Sequence, residues 1–97
     1  MSSSTPRAPQ GLETSGRRLW KSVTSRYELL EHEQLMLREA CCTADICAQL
    51  QAAVVEDGGA GSGAGHPALV ELRMQRWTLV RILRALQIPV DEEGLPR

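Results

Sequence analysis

The run from Glu31 to Glu56 constrains the fold more than any other part of the chain. Met36, Ala40, Thr43, Cys47, Leu50 and Val54 recur at alternating four- and three-residue steps, the spacing of one helical stripe. Leu37, Cys41, Ala44, Ala48 and Val55 form a second stripe beside it, and Ile46 and Ala53 widen the apolar arc on the other flank. Only Arg38, Asp45, Gln49 and Glu56 mark a narrow polar strip. An arc this wide exceeds what one helical neighbour covers, so the helix must be contacted from several sides. It is either a central helix between its own two neighbours or one that also meets another subunit. For the subunit contact Leu37, Cys41, Ala44, Ala48 and Val55 are the candidates, and they predict a homo-oligomer larger than a dimer.

Asp57-Gly58-Gly59 ends this helix, and 58–65 holds five glycines among Ala and Ser, a flexible connection suited to joining antiparallel helices. The segment lacks the Gly-Lys-Ser/Thr ending of a phosphate-cradling loop, so no nucleotide site is expected. Pro67 suits the first position of a third helix, which should run to about Gln87 before Pro89 stops it. Leu69, Leu72, Leu79, Val80, Ile82, Leu83 and Leu86 form its core face. Upstream, Thr14 or Ser15 can cap a first helix reaching about Tyr27, with Leu19, Trp20, Val23 and Tyr27 on its docking side. The fold class is therefore all-α, a short N-terminal helix plus a long antiparallel helical hairpin. Residues 1–10 read as a disordered arm, 11–89 as the helical domain with helices near 15–27, 31–56 and 67–87, and 90–97 as a frayed acidic tail. With no phenylalanine in the chain, the core must come mainly from aliphatic side chains.

The net charge of −1 excludes a protein that coats nucleic acid by bulk basicity. The sign instead alternates. Residues 1–28 set Arg7, Arg17, Arg18, Lys21 and Arg26 against Glu13 and Glu28; residues 29–57 are strongly acidic; residues 66–88 set Arg73, Arg76, Arg81 and Arg84 against Glu71. Such alternation favours packing basic helices beside an acidic one. Arg17, Arg18, Lys21 and Arg26 are the first cationic cluster, either a solvated face or a phosphate-contacting one. The second is Arg73, Trp77, Arg81 and Arg84. That set suits phosphate contact with base stacking, or an indole packed on a subunit neighbour while the arginines reach the acidic helix. Arg76 falls inside the apolar arc and calls for a carboxylate, Glu39 or Glu71.

Catalysis has no support. His32 and His66 lack partners at triad or metal spacing and read as structural residues at helix starts, and no cofactor or metal site is expected. Cys41, Cys42 and Cys47 are odd in number and crowded on one helix, which fits neither a disulfide framework nor zinc and favours a reducing cytoplasm. No apolar signal segment or membrane span is expected.

The order of elements resembles the small subunits of phage terminases: a Gly-Leu element leads into Gly-Arg-Arg-Leu-Trp (Gly16 to Trp20), then an acidic Glu-His-Glu helix start (Glu31 to Glu33), then a His-Pro step (His66-Pro67). The likeness spans roughly Pro9 to Pro89. It implies a non-catalytic, ring-like homo-oligomer that binds double-stranded viral DNA and brings it to the large terminase subunit in the cytoplasm of a bacterial host. No helix-turn-helix is discernible, so little sequence preference is expected. The rival reading is a helical protein-interaction module, antitoxin-like or scaffolding, without DNA contact.

Overall fold

The computed structural model describes residues 6–56, 67–91 and 96. It contains α1 (Thr14–Thr24), α2 (Glu31–Glu56) and α3 (Pro67–Ala85). Among the described residues there is no strand, only an isolated antiparallel bridge between Val90 and Pro96. The expectation of a mobile connection at Gly58 to Gly65, and the placement of His66, lie outside the described residues.

Helix α2 is the central element, with α1 on one flank and α3 on the other, and α1 and α3 make no close backbone approach to each other. Met36, early in α2, lies near Arg81 and Ile82, late in α3, while Gln51 meets Arg76, so the hairpin is antiparallel. Leu37, Ala40 and Cys41 of α2 are buried between Leu19, Trp20 and Val23 of α1 and Leu79 and Leu83 of α3, and Leu12 and Ile88 complete the cluster. The wide apolar arc is thus used on two flanks.

The start of α2 and the ends of α1 and α3 have local causes. At the start of α2, the Leu30 amide donates to Glu33 Oε1 at 2.8 Å while the Leu30 carbonyl accepts from the Gln34 amide, and Glu31 and Glu33 oppose the positive helix end. Helix α1 stops at Thr24 rather than continuing to Tyr27. There Thr24 Oγ1 donates to the Trp20 carbonyl and Ser25 Oγ to the Ser22 carbonyl, the competition for backbone partners that makes Ser and Thr poor helix continuers. Tyr27 still packs against the core through a closing turn in which its amide reaches the Val23 carbonyl.

Helix α3 ends at Ala85 in a Schellman arrangement. The Ile88 amide donates to the Leu83 carbonyl and the Gln87 amide to the Arg84 carbonyl, with Gln87 left-handed at φ 62°. Ile88 drops into the core and Pro89 prevents resumption.

The chain outside the helices is more engaged than its composition implies. The Trp20 indole N–H donates to the Pro6 carbonyl at 2.9 Å, Ala8 packs on the core, and Leu12 is buried. A buried indole N–H needs an acceptor, and Pro6 provides it, so Pro6 and Ala8 of the arm lie against the core while Arg7 and Gln10 are exposed. At the other end Val90 packs on the core and pairs with Pro96, which anchors these two residues of the expected frayed tail.

Candidate functional site

The position of α1 depends on a residue that looked like part of a polar strip. Asp45, only 7 % exposed, accepts from the Glu13 amide through Oδ2 at 2.7 Å and from the Gly16 amide through Oδ1 at 2.6 Å. Glu13 is the N-cap of α1 and Gly16 its third helical residue, and the Glu13 side chain makes no capping bond. Within one chain segment these two amides are satisfied reciprocally by side chains of the N-cap and third residues. Here one carboxylate from the middle of α2 satisfies both, and its charge faces the positive end of α1. The expected capping by Thr14 or Ser15 is thereby replaced.

The contact requires glycine. A Cβ on Gly16 would stand 2.5 Å from Asp45 Oδ2 and 2.8 Å from the Cys41 carbonyl oxygen. The absence of a side chain lets the first turn of α1 rest on the α2 backbone, with Leu19, Trp20 and Val23 pressed inward and Arg17, Arg18 and Lys21 exposed outward. These three cations make a ridge along α1, and Arg26 is exposed in the turn that follows.

The second cationic set divides. Arg73, Trp77 and Arg84 line an open groove of about 1050 Å³ between α3 and α1, whereas Arg81 turns toward a smaller depression beside Met36. Helix α2 forms the groove floor with Ala44, Cys47 and Ala48, and Arg18 stands on the opposite wall from α3. One member of the first cluster, Arg18, thus faces Arg73 and Arg84 of the second across one apolar trough. Trp77 is 64 % exposed on its rim. Arg76 also faces the groove, and it donates to Gln51 Oε1 at 2.9 Å; the partner is an amide, not Glu39 or Glu71. Being exposed, its guanidinium needs no carboxylate to offset burial.

The subunit-contact candidates also divide. Leu37, Cys41 and Ala44 are buried within the chain's own core, while Ala48 and Val55 remain exposed. Other exposed apolar side chains went unrecognised as a face of their own: Leu35 and Ile46 on α2, and Val70 and Met74 beside Trp77 on α3. Their one- or two-residue offset from the main stripes was the available signal.

Burial pushes the Cys41 thiol up to about 12, reinforced by neighbouring Cys42 and Asp45, and burial also raises Cys47 against the opposing effect of Arg76. Neither has the depressed value of a nucleophilic thiol. Among the described residues, no three of His, Cys, Asp and Glu come together as a metal-binding group, and no helix is long and apolar enough to cross a membrane. His32 is exposed in the first turn of α2.

No protein-family model, curated protein or solved structure matches the chain.

Proposed function

We infer that this chain is a non-catalytic small terminase subunit that binds double-stranded viral DNA as a homo-oligomer, in the cytoplasm of a bacterial host, and presents it to the large terminase subunit. The order of the Gly-Arg-Arg-Leu-Trp, Glu-His-Glu and His-Pro elements supports the family. The observation that carries the DNA contact is the ridge of Arg17, Arg18 and Lys21, exposed on a helix whose opposite side is buried. Phosphate contacts from such a ridge are weak singly, and copies displayed on one assembly add by avidity. With no helix-turn-helix to seat a helix in the major groove, sequence preference should be slight.

Salt-dependent retention on duplex DNA tests this. Replacing Arg17, Arg18 and Lys21 together with Ala should weaken retention and flatten its salt dependence while leaving helical content unchanged. Retention equal to the parent's would move the DNA surface elsewhere. A parent chain that does not bind duplex DNA at low salt would favour the second reading, a protein-interaction module, which the exposure of Leu35, Val70, Met74 and Trp77 supports.

A further inference from the structure

The groove lies on one side of α2, and the opposite side of the same helix is a second unpartnered surface. At 100° per residue, Ala44, Cys47 and Ala48 on the groove floor are turned away from Leu35, Cys42, Ile46 and Gln49, all of which are exposed. With Ala53, this back stripe keeps the alternating three- and four-residue spacing with which one helix seats against others.

The charges on the two surfaces are complementary. On the back, Leu35 sits between Glu31 and Glu39, one turn before it and one after it, and all three are exposed; exposed Arg38 beside them leaves this end of the surface acidic by one charge. At the groove, Arg73, Arg76 and Arg84 on the α3 wall and Arg18 on the α1 wall outnumber a single acid, Asp91, around an apolar floor with the Trp77 indole at the rim. The carboxylates are separated along α2 by about 12 Å and Arg73 from Arg84 along α3 by about 16 Å, so both acids fit within the span of the arginines. A symmetric parallel pairing of α2 backs would instead set Glu31 and Glu39 against their own copies, and an antiparallel one would leave the groove arginines without a partner acid.

We propose that the groove between α1 and α3 receives the back of α2 from a second copy of this chain, with Leu35 and Ile46 directed at the apolar floor and Glu31 and Glu39 at the arginine rim. The two surfaces differ, so the contact is head-to-tail: each copy offers a groove to one neighbour and an α2 back to another, and association continues beyond a dimer until it closes or extends. This rests on and deepens the homo-oligomer part of the reading above. It assigns the groove arginines to subunit contact and leaves Arg17 and Lys21 of the ridge outside it.

Exchange of charge between the two surfaces tests the proposal by sedimentation velocity without DNA. The parent at micromolar concentration should sediment as a species larger than a dimer. R73E/R84E alone and E31R/E39R alone should each be monomeric, and circular dichroism on each checks that the helices survive reversal of the favourable end charges at Glu31 and Arg84. An equimolar mixture should reassemble, because the basic back of one variant meets the acidic groove of the other and the remaining surfaces are native. A monomeric parent, an R73E/R84E variant that still associates, or a mixture that stays monomeric would each overturn the proposal. Parental association through the back alone would identify a symmetric α2 pair. Duplex retention of an R17A/K21A variant, whose two positions lie outside the groove, reports on the DNA reading with the subunit contact intact, so failure of one is distinguishable from failure of the other.

Discussion

Asp45 holds the Gly16 amide at 2.6 Å across an interface between residues 29 positions apart in the chain, and it is this bond, with its companion to Glu13, that sets where the α1 ridge stands. Replacing Asp45 with Ala leaves two amides at the start of α1 without their acceptor and should cost about 2–3 kcal/mol. Asn keeps one acceptor oxygen and removes the charge, so its cost should be intermediate. Urea unfolding of the three proteins checks the order. Equal stability of parent and Asp45→Ala would show that the cap contributes nothing.

Gly16→Ala tests the same interface from the other side. The added methyl collides with the Asp45 carboxylate and the Cys41 carbonyl, and backbone cannot yield as a long side chain would. A loss of about 1–3 kcal/mol is expected, although Ala is the better helix former at an unencumbered position. Stabilisation by Ala would mean that α1 does not lie this close to α2.

Gln87 occupies the left-handed position that closes α3, where a side chain is unfavourable and glycine is not. Gln87→Gly should raise stability by about 1 kcal/mol, since the side chain is exposed and has no packing to lose. The thermal midpoint reads the effect, and a decrease would show that Gln87 is not left-handed.

The cysteines should separate by reactivity. In dilute folded protein a thiol reagent should modify exposed Cys42 first and buried Cys41 only on unfolding, which peptide mapping resolves. The raised Cys41 value also has a sign. Above its ordinary value of 9.0 the unfolded chain releases this proton while the folded chain retains it to about 12. The contribution to stability is therefore whole below pH 9.0 and is lost as pH rises toward 12. Cys41→Ala should flatten the decline in stability over that range while lowering stability throughout, because it also removes core volume.

The helices were legible because their signals are local. The Glu31 to Glu56 arc and Pro67 act over a few residues; two ends moved, α1 stopping at Thr24 before Tyr27 and α3 at Ala85 before the left-handed Gln87. Asp45 was not legible as a cap, because its partner amides belong to another helix and no spacing rule links positions so far apart. The clue was combined: a glycine at the third position of α1 opposite a small-residue flank of α2 holding one acid. The meeting of Arg18 with Arg73 and Arg84 was hidden for the same reason, since it requires the hairpin to be assembled first. The indole of Trp20 likewise gave no sign that Pro6 would be its acceptor.

The attachment of α1 to α2, without backbone contact to α3, gives the molecule a mechanical character. A pull on Arg17 or Lys21 passes inward through the first turn of α1 and reaches α2 at Asp45, near its midpoint rather than at either end. The longest helix then acts as a beam loaded at its centre, its two ends supported by α3. Force on the cationic ridge would be shared between the two short bonds at Asp45 and the Leu19, Trp20 and Val23 contacts, so load borne by α1 is delivered to the middle of the molecule and not to its ends.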